Sequence, residues 1–370
     1  MDSLNLIKND PWLEPYKTDI EHRFQLSVSK EKELAGKGKS LSDFADGYLY
    51  FGLHKTEQGW VMREWAPNAT DIFLIGNFSE WKENTKYRFS KLKNGVWELK
   101  LKTGEIKHLD LYKLSMHWNG GHGERIPAWA TRVVQDEKTY IFSAQVWSPS
   151  RPYKFKKKKF KPQISPLLIY ECHIGMAQEE ERIGSYNEFR EKILPRIAKD
   201  GYNAIQIMAI QEHPYYGSFG YHVSSFFAPS SRFGTPDELK QLIDEAHASG
   251  IAVIMDIVHS HAVKNEVEGL GRFDGSYNQF FYGDHRREHP AWDSLCFDYG
   301  KNEVIHFLLS NCKYWLEEFK FDGFRFDGVT SMLYYDHGLG KAFGSYNDYY
   351  DGGQDENAIT YLTLANKLIH

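Results

Sequence analysis

The spacing of hydrophobic and polar positions changes twice along the chain. Residues 1–45 are mostly polar and helix-compatible, and "SVSKEKELAGKGK" within them reads as a solvated stretch. Residues 46–150 carry short apolar alternations: "GYLYFGLHKT", "GWVMREWAP", "DIFLIGNF", "GVWELKLK" and "HLDLYKLSMHW". Gly, Asn and Pro turns separate them. A period of two broken this often predicts a β-sandwich of roughly a hundred residues. The basic run "RPYKFKKKKFKPQISP" at 151–166, bounded by prolines, predicts a solvated linker.

From 167 to 370 the period alternates between strand and helix. Strands are predicted at 167–173, 203–208, 251–258 and 320–327, and helices at 186–199, 235–249, 302–319 and 355–370. The second helix has the clearest ends. Thr235 suits the N-cap, Pro236 the first turn and Glu238 a capping box, and Gly250 stops it. About forty loop-rich residues separate the third strand from the third helix. Four apolar strands alternating with helices predict a parallel sheet. It is either an open doubly wound sheet or the first half of a (β/α)8 barrel. A whole barrel takes about 250 residues, more than 167–370 contains.

Both architectures place chemistry at the C-terminal ends of the strands. Here the first strand ends in Glu171 and His173, and the third in Asp256, followed by His259 and His261. The fourth ends in "GFRFDGV", where Phe324 and Phe326 share one face and Arg325 and Asp327 the other. An arginine beside a carboxylate favours its charged form. A fixed carboxylate facing a sugar is what a retaining glycosidase uses as nucleophile. A buried structural ion pair is the competing reading of Arg325 and Asp327. A metal site is the competing reading of "DIVHSH".

Composition narrows the partners. The net charge is −5 and basic residues are not in excess, so nothing suggests nucleic acid. Aromatics make up 15% of the chain, with ten Trp and 23 Tyr. Flat amphipathic rings in that number suit either sugar faces or a large core. No early apolar run is long enough for a signal peptide, and none is long enough to span a membrane. Cys172, Cys296 and Cys312 are odd in number and widely spaced, which argues against disulfides and zinc. The expectation is a cytoplasmic protein with reduced thiols.

"DIVHSH" and "GFRFDGV" resemble two signature regions of the α-amylase superfamily, glycoside hydrolase family thirteen. "YYGSFGYHVSSFFAPSSRFGTPDELKQLIDEAHASGI" and "FLLSNCKYWLEEFKFDGFRFDGVTSMLYYDHG" are similar to its 1,4-α-glucan branching enzymes, of the eukaryotic glycogen and starch type. The resemblance covers about 46–370. It implies a multidomain protein, with a starch-binding β-sandwich at 46–150 and the first four β/α units of a TIM barrel at 167–370. Within it, Asp327 matches the nucleophile and Arg325 the arginine that orients it. Asp256 and His261 match ligands of substrate hydroxyls, and Tyr221 the tyrosine of the donor subsite; a core tyrosine is its alternative. Trp65, Trp81 and Lys113 fall in the glucan-binding pattern of the sandwich, with core packing the competing role for both tryptophans. The partner implied is an α-glucan such as glycogen, amylose or amylopectin, with no metal, nucleotide or organic cofactor. The family's general acid and transition-state aspartate are expected beyond His370, so the chain resembles an N-terminal part, inactive by itself. A hydrolase or debranching enzyme of the superfamily, or a non-catalytic glucan-binding protein, remain the alternatives.

Overall fold

A computed structural model describes residues 3–157, 159–162 and 166–370; positions 158 and 163–165 of the linker lie outside the described residues. Two antiparallel sheets follow the N-terminal helices. One runs Gly52–Thr56, Gly59–Trp65, Val96–Lys102 and Ser90–Lys91. The other runs Ala69–Gly76, Leu111–Trp118, Phe142–Gln145 and Val133–Gln135, with Gly121–Arg125 also on Leu111–Trp118. The period of two is visible in Val96–Lys102, where Trp97, Leu99 and Leu101 point inward. The first segment departs from its expectation. "GYLY" forms a helical turn, Gly47–Tyr50, because Gly47 N–H donates to Ser310 Oγ at 3.0 Å. A Cβ at Gly47 would lie 2.4 Å from the His306 ring, so only glycine allows this approach.

The second half builds one parallel sheet in the order Ile169–Cys172, Ala204–Ile207, Ala252–Ile257, Gly323–Phe326. A doubly wound sheet reverses its order at a switch point. This one follows the chain without reversal, which is barrel topology. Its two inner strands are buried, whereas Ile169–Cys172 is exposed at three of four positions.

The helix Pro236–Ala248 has the expected capping box: Thr235 Oγ1 accepts from Glu238 N–H, and Glu238 Oε2 accepts from Thr235 N–H. The helices Asn302–Glu318 and Glu356–Ile369 also match their expected ranges. The helix expected at 186–199 contains a π turn, Phe189–Ile193, just before Pro195. Proline has no N–H to continue the regular ladder, and the wider turn takes up the break.

Two segments expected to be solvated are mostly exposed, and each is also anchored to the rest of the molecule. The helix Lys17–Ala35 buries Ser27 and Leu34, and its Arg23 pairs with Glu356 at 3.0 Å. In the linker, Tyr153 Oη and the Lys156 and Lys157 amides donate to buried Asp244 at 2.7–2.8 Å, and Phe160 stacks on His247. Apolar side chains from all these parts merge into one core. Trp129 is its hinge pin: it stacks on Phe51 of the sandwich side at 5.0 Å and on Phe227 of the barrel side at 4.7 Å.

Candidate functional site

Register builds the site. Asp256 on the third parallel strand pairs with Arg325 on the fourth, so the two side chains leave the sheet side by side. Asp327 follows the strand end, its N–H bonded to Ile257 O at 2.9 Å. Phe324 and Phe326 pack against the core on the opposite face, as alternation requires. Arg325 Nη1 donates to both Asp256 oxygens at 2.9 Å and to Asp327 Oδ1 at 2.7 Å. Tyr221 Oη donates to Asp256 Oδ2 at 2.8 Å. The His261 Nε2 bonds the Tyr221 carbonyl at 2.8 Å, and its Nδ1 meets Ser260 Oγ at 2.9 Å. The structure thus brings Tyr221, Asp256, His261, Arg325 and Asp327 into one chain of contacts.

The electrostatics divide the roles. Asp256 is fully buried, and that burial raises its carboxyl above the usual range despite the bonds from Arg325 and Tyr221. Burial and the Asp256 charge push the Tyr221 hydroxyl up. Burial works against the Arg325 charge, but Asp256 and Asp327 outweigh it and hold the guanidinium charged. Burial pushes His261 down to about 4, so it is neutral near pH 7. Asp256 accepts from Arg325 on both oxygens and from Tyr221 on Oδ2, so its carboxyl is held in one orientation. Asp327 is the more open carboxylate, its side chain 19% exposed.

Other strand-end residues do not join. His259 is buried between Tyr361 Oη at 2.6 Å and Asn311 Oδ1 at 2.9 Å, so both its nitrogens are engaged. His173 is enclosed by Tyr216, Phe219 and Phe233. Glu171 accepts from Gln206 Nε2 at 3.2 Å, away from this cluster.

A second surface lies on the sandwich. Trp81 and Lys113 line a groove of about 750 Å³ with Glu124, Gln135 and Ile141. The Lys113 ammonium lies 5.8 Å from the Trp81 ring and 2.8 Å from Glu124 Oε2. Trp65 is not there. It packs edge-on against Phe280 at 5.6 Å and borders a different cleft, of about 440 Å³, with Phe44, Trp129 and His306. Sequence reasoning missed His289 and Trp292, which stack beside His261. They sit in the loop-rich insertion, where no periodicity marks a site.

Two family models match parts of the chain: Carbohydrate-binding module 48 (Isoamylase N-terminal domain) at 50–130, and Alpha amylase, catalytic domain, at 179–295. The second match includes Tyr221, Asp256 and His261 and stops before Arg325 and Asp327. Among solved structures, the GBS pullulanase SAP in complex with maltotetraose has a TM-score of 0.63 at 21% identity, covering 78% of this chain and 44% of that one. Pullulanase from Bacillus acidopullulyticus has a TM-score of 0.64 at 21% identity, covering 76% and 38%. These likenesses show the fold. Curated relatives named 1,4-alpha-glucan-branching enzyme are 46% identical in Yarrowia lipolytica, 45% in Dictyostelium discoideum and 46% in Equus caballus. Each alignment takes in 99% or 100% of this chain and 53–55% of the relative, so the chain spans about half the length of the curated relatives it matches. From end to end, the chain is similar at this identity to curated 1,4-alpha-glucan-branching enzymes.

Proposed function

We propose that this chain carries the glucan-binding module and the nucleophile-bearing half of the barrel of a 1,4-α-glucan branching enzyme. The division is 1–45 as a helical N-terminal segment, 46–150 as the module, 151–166 as a connector and 167–370 as the barrel part. In the reaction Asp327 attacks the anomeric carbon of an α-1,4 link and holds the severed chain as a glycosyl ester. A 6-hydroxyl of another glucan then displaces Asp327, forming an α-1,6 branch with net retention. The observation that carries this reading is the single Arg325 Nη1 bridging the open Asp327 and the buried Asp256. It fixes the Asp327 carboxylate at the strand end with one oxygen left for attack. Tyr221, Asp256 and His261 form the wall against which the reacting glucose is positioned by its hydroxyls and ring face.

Retention needs a second carboxyl about 5–5.5 Å from the nucleophile to protonate the leaving oxygen. Among the described residues, Asp256 is the other carboxylate bonded to Arg325, and its oxygens are committed as acceptors. The acid is therefore assigned outside this cluster. Trp81 with Lys113, and Trp65 on its separate cleft, are the proposed contacts with α-glucan polymer. The three cysteines are free and buried, which supports a cytoplasmic setting. No helix of the described residues is long and apolar enough to cross a membrane.

The test is Asp327→Asn in the protein with a complete barrel. Formation of α-1,6 links on amylose should fall at least about a thousandfold, while polymer binding persists. Activity within about tenfold of wild type would sink the assignment. Reducing ends that accumulate without α-1,6 links would identify a hydrolase instead.

A further inference from the structure

We propose that Trp292 is a rigid stacking platform beside Asp327, on which a glucose ring of an α-1,4-glucan lies. The inference rests on the catalytic reading above and adds a specificity residue to it. Trp292 lies in the loop between the short strands Glu288–His289 and Ser294–Leu295. Its ring stacks on His289 with centroids 4.1 Å apart and planes 5° from parallel. His289 is itself fixed, because its Nδ1 accepts from the Ala291 and Trp292 amides at 3.2 and 3.1 Å. Two amide donors on Nδ1 leave the ring proton on Nε2, so the imidazole is held neutral in one orientation.

The position is at the reacting end of the barrel. The indole centroid is 5.2 Å from that of His261. Gly328, directly after Asp327, has φ +66°, and a Cβ there would lie 3.1 Å from Trp292 Cζ3. The indole therefore borders the turn that carries the nucleophile. The loop is held in place at its far side as well. Asp293 adopts φ +47°, a left-handed conformation uncommon for a residue with a side chain, and its carboxylate pairs with Lys264 at 2.7 Å.

Burial gives the functional direction. Trp97, Trp129 and Trp315 retain 4% exposure or less, as core rings do, whereas Trp292 keeps 38% among buried neighbours. One face is spent on His289, and an immobilised indole still offers open surface next to Asp327. Apolar C–H faces of a pyranose match such a surface, and a preset ring loses little freedom when it binds.

The experiment uses the protein with a complete barrel and maltoheptaose as probe. Trp292→Ala should raise KM for amylose on the order of tenfold with kcat within about threefold, because stacking serves bound and reacting sugar alike. Trp292→Phe, which keeps a flat face, should recover most of that loss. The Trp292 indole N–H resonance should shift on titrating maltoheptaose into Asp327→Asn protein. An unchanged KM in a folded Trp292→Ala variant, or an indole resonance unmoved at saturating maltoheptaose, overturns the platform. If Trp292→Ala fails to fold, the indole titration on otherwise intact protein still decides. Retained activity in Asp327→Asn would instead overturn the nucleophile, and the indole shift would be judged separately.

Discussion

Trp81 is held open by backbone that tryptophan rarely adopts. Glu80 and Trp81 lie consecutively in the left-handed region, at φ 54° and 58°. Such conformations cost of order 1–3 kcal/mol each and persist where the surroundings impose them. The result is an indole 40% exposed, with the Lys113 ammonium beside it. Trp81→Ala should therefore weaken binding to amylose or glycogen on the order of tenfold, the loss of one aromatic contact. Its melting temperature should stay near wild type, since little core is removed. Normal polymer binding with a depressed melting temperature would make Trp81 a packing residue. In sequence, Trp65 and Trp81 look alike, since both follow apolar strands. Their separation onto two clefts is a matter of tertiary packing against Phe280. Arg325 and Asp327 were legible because strand alternation and position at a strand end are both local patterns. Their bridge to Asp256 needed the register, and Trp292 needed the fold of an insertion with no period to read.

At the scale of elements, local signals translated well and remote ones did not. The capping box of Pro236–Ala248 is complete within four residues, so its start was readable. The described linker lysines are exposed, as expected of a solvated segment, but its anchor could not be read locally, because Asp244 lies far along the chain on that same helix. Burial works against the Asp244 carboxylate, but the Lys156 and Lys157 amides and Tyr153 hydroxyl hold it below its ordinary range. Three charge-assisted bonds on a buried carboxylate make a strong clip. Asp244→Ala should release the lysine-rich segment and cost about 2–4 kcal/mol, by leaving its donors without the acceptor. Trypsin should then cut within 151–161 faster than in wild type, before global unfolding. Equal cleavage rates would mean that Phe160 on His247 alone suffices to hold the segment.

At the scale of the whole molecule, the sequence divides into parts more cleanly than the structure does. Trp129 and the docked N-terminal helix join sandwich and barrel into one core, so the parts are expected to unfold together. Buried titratable groups then set how that single stability depends on pH. Burial pushes His259, His261 and His289 down to about 4, and all three are 3% exposed or less. Their folded values lie below the ordinary 6.5, so they contribute stability above 6.5 that is lost as pH falls toward 4. Glu64 acts in the opposite sense. It is fully buried beneath the Trp65 and Ala128 amides, and burial pushes it up to about 8 from 4.5 despite those bonds. Its favourable contribution is complete below 4.5 and is lost as pH rises through 8. Three groups falling on the acid side outweigh one rising, and on the alkaline side Glu64 acts against a flat histidine background. These four groups together place maximum stability at about pH 6–7, with a steeper acid limb. Thermal unfolding across about pH 5–9 should show that asymmetric maximum, and Glu64→Gln, which cannot ionise, should flatten the alkaline limb. A melting temperature that rises steadily from neutral pH to pH 5 would contradict the neutral, buried state assigned to these histidines.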